Sequence, residues 1–233
     1  MKIGIIGAMK EEISYFQEKM ESLETNGVGL VTFYTGTWNN HDVVISKCGV
    51  GKVNAAMTAQ MMIDKFKVDS LIFTGVAGAI NENLNVEDVV ISTSSQQHDI
   101  DASALGFERG SIPMHDGPSD FEADQDLIEK AYQAASETLD GDLKVIKGKI
   151  VSGDQFIADK GIVRELGEQF NGDCVEMEGA AVAHIAYFNS IPFVIIRSIS
   201  DKANGEAPKS FEEFVEKTAK TSAQIVERLL MKL

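Results

Sequence analysis

The stretch MKIGIIGAMKEE (residues 1–12) decides the fold class. Its apolar run at residues 2–8 is short and ends in small residues, which is typical of a buried strand. Residues 10–23, which follow directly, carry apolar side chains at helical spacing and predict a helix with one apolar face. The chain therefore begins as a strand followed by a helix, which is the repeating pattern of an α/β fold.

The same alternation continues to the last residue. Further strands are predicted at residues 29–37, 42–48, 70–75, 87–92, 144–152 and 192–200. Further helices are predicted at residues 52–66, 123–138, 160–169, 178–189 and 209–232. Residues 96–120 have no clean period and contain several glycines and prolines, which predicts a long functional loop. We find no repeat or linker, and expect one α/β domain over residues 1–233, with a central twisted mixed sheet flanked by helices.

Composition excludes several classes of protein. The 21 Lys and Arg residues face 36 Asp and Glu residues, a formal net charge of −15, which disfavours binding to nucleic acid or to anionic membranes. Apolar runs fall far short of the roughly 20 residues that span a bilayer, and the first residues do not form a signal peptide. Cys48 and Cys174 provide neither a disulfide framework nor a metal cluster. We expect a cytoplasmic protein with reduced thiols and without nucleic-acid or membrane partners.

Ligands of α/β sheets bind beyond the carboxyl ends of the strands, which tells us where to look for a site. The segments at such ends are residues 7–12, 49–51, 74–78, 152–157 and 200–201. In the first of them, Glu11 and Glu12 open a predicted helix, and on spacing alone they are more often partners of the helix dipole than site residues. Gly4 and Gly7 do not complete a dinucleotide-binding fingerprint.

The stretch VEMEG (residues 175–179) places Glu176 and Glu178 on either side of Met177, just before a helix of small residues. Acidic residues are common at helix starts, so a structural role is one interpretation. A carboxylate beside a small-residue helix is also a good acceptor for paired hydroxyls, such as those of a ribose. Both interpretations stay open at this level.

The strand at residues 192–200 contains one charged residue, Arg197, and is followed by Asp201. A charge inside a buried strand is costly unless it is paired, so Arg197 is expected to have an acidic partner. Asp201 stands at a strand end, where site chemistry is concentrated in α/β folds, and we favour a functional role for it. The four histidines have no metal-ligand spacing, and we expect no metal.

Taken together, these segments resemble the nucleoside phosphorylase/nucleosidase superfamily and, within it, the bacterial 5′-methylthioadenosine/S-adenosylhomocysteine nucleosidases. The order and spacing of the segments make the resemblance specific, and it covers the full length. The segments are GAMKEE (7–12), GVGKVNAA (49–56), TGVAGA (74–79), HDIDASALGFERG (98–110), IVSGDQFI (150–157), VEMEGAAVAH (175–184) and RSISDKANGEA (197–207).

The resemblance implies hydrolysis of the N-glycosidic bond of 5′-methylthioadenosine and S-adenosylhomocysteine, and also of 5′-deoxyadenosine. The products would be adenine and a 5-alkylthioribose, in methionine salvage and the recycling of S-adenosylmethionine by-products. The family's fold is a twisted mixed sheet flanked by helices, and its members are homodimers. No cofactor is implied, and the partners are a small nucleoside and a second copy of the chain.

The resemblance also implies roles for single residues. Asp201 would be the acid that protonates adenine N7, and Glu12 the base that activates water. Glu178, with the Met177 backbone, would bind the ribose hydroxyls. Phe156 and Ile157 would hold adenine, Met9, Val50 and Phe211 would line the sugar and alkylthio pocket, and Arg197 would lie near the water. Leu105 and Pro113, in the 96–120 loop, would cross into the partner's pocket. The remaining substrate-binding positions are Ala77, Gly78, Glu176 and Ser200.

Two positions depart from the family pattern. Many relatives have a serine where this chain has Val76, so Glu12 and Arg197 are expected to position the water alone. Many have an aromatic residue where this chain has Leu105, so the alkylthio pocket is expected to be roomier. The alternatives are a nucleoside phosphorylase, a nucleosidase for another purine nucleoside, and a non-catalytic nucleoside-binding protein, which would lack Glu12 or Asp201.

Overall fold

A computed structural model describes residues 1–203 and 207–233, so the last part of the segment at residues 197–207 lies outside the described residues. The described strands are β1 (Lys2–Gly7), β2 (Glu21–Val28), β3 (Val31–Trp38), β4 (His41–Lys47), β5 (Ser70–Ala79), β6 (Val89–Gln97), β7 (Asp120–Glu122), β8 (Val145–Ser152), β9 (Cys174–Glu176) and β10 (Phe193–Asp201). The described helices are α1 (Lys10–Lys19), α2 (Lys52–Met61), α3 (Gln125–Thr138), α4 (Lys160–Phe170), α5 (Gly179–Phe188) and α6 (Ala207–Leu230).

These strands form one mixed sheet that partly closes on itself. Strand β5 pairs in parallel with β1 on one side and with β10 on the other. Strand β10 continues antiparallel to β6, then β8 and β9 follow, and β9 returns to β5. From β1 the sheet extends outward through β4 and β3 to β2. The closure draws the carboxyl ends of β5 and β10 together, where β5 is buried over its whole length.

The helices cover the sheet in two groups. Helix α6 packs against α1 and α3 and against strands β5 and β10, while α2 packs against α5. The main core lies between these helices and the apolar faces of the strands, and a smaller apolar cluster lies beneath α4. The predicted α/β fold with a mixed sheet flanked by helices is confirmed. Within the described residues, no helix has the length and apolar character needed to cross a membrane.

Several predicted boundaries were wrong. The first helix ends at Lys19 rather than residue 23, because Met20 turns into the core and the chain continues as strand β2, where Leu23 is exposed. Strand β2 is an edge strand with nearly every residue exposed, so its sequence has no alternation to detect. Strand β5 runs to Ala79 rather than residue 75. The helix predicted at residues 52–66 is α-helical only to Met61 and continues as a wider π-helical turn at Met62–Phe66. The three-residue strands β7 and β9 were not predicted.

Candidate active site

A cavity of about 290 Å³ opens where the sheet closes, beside the carboxyl ends of β5 and β10. It brings together residues from seven separate parts of the chain. Thirteen of the sixteen residues that the sequence indicates as catalytic or substrate-binding line it: Met9, Glu12, Val50, Ala77, Gly78, Phe156, Ile157, Glu176, Met177, Glu178, Ser200, Asp201 and Phe211.

The cavity also has four lining residues to which the sequence assigned no site role, namely Ala8, Val76, Gln155 and Val175. Each is a direct neighbour along the chain of an assigned residue, and Val76, which precedes Ala77, is also the departure from the family pattern. These four residues could therefore have been predicted from their position next to an assigned residue. Arg197, Leu105 and Pro113 do not line the cavity of their own chain.

Glu12 is buried in the first turn of α1, and its carboxylate folds back onto the strand ends. Its Oε2 accepts hydrogen bonds from the backbone N–H groups of Ala8 and Met9, at 2.6 and 3.0 Å. Its Oε1 accepts one from the Val76 N–H at 3.2 Å. Burial raises the pKa of Glu12, while Arg197 and these three N–H groups oppose the rise by favouring the ionised form. Glu12 therefore lines the cavity and binds the backbone of two strand ends, which goes beyond the partnership with the helix dipole that spacing alone indicated.

The close approach of Glu12 to β5 depends on Gly75. A Cβ atom built on Gly75 would lie 2.4 Å from Glu12 Oε1 and 3.0 Å from Arg197 Nη1, which no side chain tolerates. The glycine thus leaves room for a carboxylate and a guanidinium over the same stretch of backbone. This geometry also places Arg197 close to Glu12, beneath the cavity floor.

Asp201 ends β10 and is 3% exposed. Its Oδ1 accepts a hydrogen bond from the Ala203 N–H at 2.7 Å, and its Oδ2 accepts one from the Ser200 hydroxyl at 3.0 Å. Burial raises the pKa of Asp201, although both of these donors oppose the rise. A carboxyl group with a raised pKa at a strand end is suited to hold and deliver a proton.

Glu178 stands just before α5 and faces the cavity. Its Oε1 accepts a hydrogen bond from the Gly51 N–H at 2.8 Å, at the start of α2. Burial, and after it the neighbouring Glu176 carboxylate, raise the pKa of Glu178 to about 8, while the Gly51 N–H and Arg197 oppose the rise. Its other oxygen has no protein donor among the described residues, which leaves it available to a ligand hydroxyl.

Glu176 lines the same wall, but its oxygens are used within the protein. They accept hydrogen bonds from the Ser152 hydroxyl and from the N–H groups of Glu178 and Gly179, and Glu176 Oε2 lies 2.5 Å from Arg197 Nη2. Glu176 thus caps the start of α5 and pairs with the buried guanidinium. The expected acidic partner of Arg197 is therefore Glu176, and the geometry favours a supporting role for Glu176 over direct contact with a ligand.

Arg197 itself is almost fully buried behind the cavity wall, with its guanidinium carbon 4.1 Å from the centre of the Phe73 ring. Burial alone would lower the pKa of Arg197, but the surrounding carboxylates of Glu176, Glu12 and Glu178 raise it. One permanent positive charge thus lies among three carboxylates. The Arg197 guanidinium therefore stays positively charged and offsets part of the negative charge of these carboxylates.

Aromatic side chains flank the mouth of the cavity. The rings of Phe156 and Phe211 meet edge to face with centroids 5.7 Å apart, and Phe156 is half exposed. Ile157 is buried beside them in the small cluster beneath α4. An exposed aromatic face next to a narrow cavity is suited to stacking against a planar base.

Leu105 lies on the 96–120 segment, does not line the cavity of its own chain, and has a largely exposed side chain. The segment is held by Arg109, whose Nε donates to the His98 carbonyl at 3.1 Å and whose guanidinium pairs with Glu165 on α4. The long predicted loop is therefore ordered, with only a short helical turn at Ser103–Leu105. The loop exposes Leu105, Phe107 and Met114, while Ile112 packs against the core.

The comparisons with known proteins agree with this geometry. A model of the phosphorylase superfamily matches residues 2–231. A 5′-methylthioadenosine/S-adenosylhomocysteine nucleosidase of Staphylococcus aureus (strain JH9) is 45% identical over 232 residues, which cover 99% of this chain and 100% of the relative. The crystal structure of a 5′-methylthioadenosine/S-adenosylhomocysteine nucleosidase from Neisseria meningitidis, in complex with methylthio-immucillin-A, is 38% identical, with a TM-score of 0.94 over 100% of this chain and 99% of that one.

A futalosine hydrolase mutant from Helicobacter pylori is similar as well. It is 34% identical, and its TM-score is 0.94 over 100% of both chains. The resemblance noted in the sequence is thus confirmed over the whole chain by both sequence and structure. The chain belongs to the phosphorylase superfamily and, within it, to the 5′-methylthioadenosine/S-adenosylhomocysteine nucleosidase family.

Proposed function

We propose that the protein hydrolyses the N-glycosidic bond of 5′-methylthioadenosine and S-adenosylhomocysteine, and of 5′-deoxyadenosine, releasing adenine and the 5-substituted ribose. The observation that carries the proposal is the pair of buried carboxyl groups Glu12 and Asp201, held by different strand ends of one cavity. The similarity to nucleosidases over the full length supports it. This reaction belongs to methionine salvage and to the recycling of S-adenosylmethionine by-products, and we place it in the cytoplasm.

In this mechanism the two carboxyl groups divide the work. Asp201 gives its proton to adenine N7 as the bond between N9 and the anomeric carbon breaks, so that the base leaves as neutral adenine. Glu12, fixed by three N–H groups, takes a proton from the water whose oxygen attacks the anomeric carbon. The division between acid and base is the one used by inverting glycosidases. The Arg197 guanidinium favours the ionised form of Glu12 and so opposes the rise in its pKa that burial causes.

The remaining cavity residues hold the nucleoside. Glu178 accepts the ribose 2′- and 3′-hydroxyls, aided by the Met177 backbone. Phe156 stacks on adenine, while the backbone of Ile157 forms hydrogen bonds with the edge of the base. Met9, Val50 and Phe211 enclose the sugar and the alkylthio group, and the hydroxyl of Ser200 supports Asp201. The apolar Val76 offers no hydroxyl to the water, so Glu12 positions it, and Arg197, which does not line the cavity, acts only through Glu12.

Hydrolysis rather than phosphorolysis is the expected chemistry. Among the lining residues that the structure describes there are four carboxylates and no lysine, arginine or histidine. A phosphate dianion beside Glu12 would face like-charge repulsion of about 4 kcal/mol per pair of unit charges at 4 Å and an effective dielectric of ~20. Water carries no such penalty.

We therefore expect the rate of adenine release to be indifferent to phosphate from zero to tens of millimolar. The measurement is a titration of phosphate with identification of the sugar product, using methylthioadenosine, S-adenosylhomocysteine, 5′-deoxyadenosine, adenosine, inosine and futalosine as separate substrates. Futalosine is included because of the similar futalosine hydrolase. A phosphate-dependent rate with a sugar 1-phosphate product would contradict hydrolysis. Release of base from inosine or futalosine alone would mean that the substrate is not one of the proposed adenine nucleosides.

Glu178 provides the next prediction. Replacing Glu178 with alanine should lower kcat/KM on the ribonucleoside about ten- to a hundredfold, because its hydrogen bonds to both ribose hydroxyls are lost. The preference for the ribonucleoside over its 2′-deoxy analogue should largely disappear. Comparing this preference between the wild type and the variant cancels the different intrinsic reactivity of the two nucleosides. An unchanged preference would reject the role of Glu178.

We further propose that the active form is a homodimer in which the loop at residues 96–120 brings Leu105 and Pro113 to the partner's pocket. The largely exposed Leu105 and Met114 of that loop, with the partly exposed Phe107 between them, support it, because a monomer gains nothing from such an apolar surface.

Activity per subunit should therefore fall when the protein is diluted below the dimer dissociation constant. The measurement combines initial rates over a dilution series with sedimentation at the same concentrations, and a carrier protein controls for adsorption. A fully active monodisperse monomer would contradict the proposal.

A further inference from the structure

Behind the cavity wall, a closed ring of polar contacts joins three segments of the chain. The backbone N–H of Lys52 donates to Asp154 Oδ1 at 2.8 Å, and the backbone N–H of Asp154 donates to Asp99 Oδ2 at 2.9 Å. The Lys52 ammonium closes the ring by donating to Asp99 Oδ1 at 2.6 Å. We refer to these three residues as the Lys52–Asp99–Asp154 ring.

Each segment in the ring continues directly into the cavity or into the 96–120 loop. Val50 and Gly51 precede Lys52, Phe156 follows two residues after Asp154, and Asp99 stands near the start of the loop. None of the three ring residues lines the cavity described above. The ring can therefore act on a bound ligand only through its neighbours.

Its closest link to the cavity runs through Gly51. This residue has a φ of 100°, in the region that favours glycine, and a Cβ atom built on it would lie 3.2 Å from Asp154 Oδ1. The same Gly51 donates its N–H to Glu178 Oε1 at 2.8 Å. The ring thus holds the one protein donor that this structure gives to the Glu178 side chain.

The Lys52–Asp99 pair of the ring is better shielded from water than an ordinary surface ion pair, whereas Asp154 is exposed. The side chains of Lys52 and Asp99 are 16% and 21% exposed, and the Lys52 ammonium also donates to Gln97 Oε1 at 3.1 Å. Burial by itself raises the pKa of Asp99. Lys52 and the Asp154 N–H together lower it by more than burial raises it, so the pKa lies below its ordinary value. The ring therefore remains an ion pair at neutral pH, and its geometry is fixed by charge as well as by hydrogen bonds.

We propose that the Lys52–Asp99–Asp154 ring positions Glu178 for the ribose hydroxyls by holding the Gly51 N–H against its carboxylate. The inference rests on the proposed function, because it gives Glu178 its ligand. When the ring opens, the start of α2 loses its anchor and Glu178 loses its fixed orientation. Glu12 and Asp201 keep their own partners, since none of those belongs to the ring. The three residues are positioning residues and touch no reacting atom.

The test uses Lys52→Met and Asp99→Asn, each assayed on methylthioadenosine and on its 2′-deoxy analogue. We expect kcat/KM on the ribonucleoside to fall about tenfold, mainly through KM, because a looser Glu178 costs roughly one hydrogen bond to the ribose. The 2′-deoxy analogue should lose less, so the ribonucleoside preference should fall about threefold or more. Asp99→Asn keeps the shape of the side chain and carries the test if Lys52→Met fails to fold.

Lys149→Met is the matched control. The Lys149 ammonium also bridges a glutamine and an aspartate, Gln96 and Asp120, at 2.7 Å each, but it has no contact with Gly51. Its loss should lower the melting temperature as much as the ring variants do, while the ribonucleoside preference stays at the wild-type value.

Equal losses on both nucleosides in a folded ring variant would overturn the inference, as would a changed preference in Lys149→Met of the same size. A wild-type protein that releases no adenine would instead reject the proposed function, which keeps the two failures distinct.

Discussion

Replacing Asp201 with asparagine should lower kcat by about 10²–10⁴-fold while the protein still folds and binds a nucleoside. Asparagine keeps the size of the side chain, its oxygen can still accept from the Ala203 N–H, and its NH2 group can donate to the Ser200 hydroxyl, which is free to act as acceptor, so the local structure should persist. It has no proton to give to adenine N7, so the base would have to leave as an anion. The measurement is the rate of adenine release at saturating substrate, with nucleoside binding measured separately.

Asp88→Asn is the matched control for this variant. Asp88 is a comparably buried aspartate at a strand start, and its oxygens accept from the N–H groups of Asn85 and Lys144, both at 2.8 Å. It lies outside the cavity, so its replacement should cost stability without abolishing turnover. Near-wild-type adenine release from Asp201→Asn would remove Asp201 from the mechanism.

The pH dependence of the same reaction follows from the raised pKa of Asp201. The acid works only while it carries its proton, so kcat/KM should decline as pH rises through that pKa. Because burial raises the pKa, the decline lies at higher pH than an exposed aspartate would allow. In Asp201→Asn this basic limb should be absent from the residual activity, which separates loss of a proton donor from general damage.

Glu12→Gln should be the other most damaging change, with kcat again lower by about 10²–10⁴-fold. Glutamine cannot accept a proton from the attacking water. Its amide also presents N–H groups toward the backbone donors of Ala8, Met9 or Val76, which leaves at least one donor facing another. KM should change less than kcat, because water activation matters in the transition state rather than in ground-state binding.

Glu11→Gln tests whether the effect of Glu12 is only that of a negative charge at the start of α1. Glu11 is its neighbour in the same first turn but is exposed. If both variants lost the same small amount of activity, the helix dipole would explain the requirement. A large loss confined to Glu12→Gln assigns the role to the buried carboxylate.

Much of this protein can be predicted from its sequence for physical reasons. Strongly apolar strands and amphipathic helices have periods that local spacing reveals, which is why β1, β4, β8 and most helices were found within a few residues. The candidate carboxylates were found because Glu12 and Asp201 follow strand ends, where α/β sheets place ligands. Family resemblance then assigned roles that spacing alone left open between structure and chemistry.

Other features were decided only by the tertiary structure. The polar edge strand β2 has no pattern because neither face is buried, and the pairing of β10 with both β5 and β6, within a sheet that closes through β9, depends on contacts between distant segments. Spacing also could not separate Glu176 from Glu178. Both are acidic residues before α5, but only folding aims Arg197 and Ser152 at Glu176 and leaves an oxygen of Glu178 facing the cavity. Hydrogen bonds between residues far apart in the chain depend on the closed sheet, and local sequence carries no record of them.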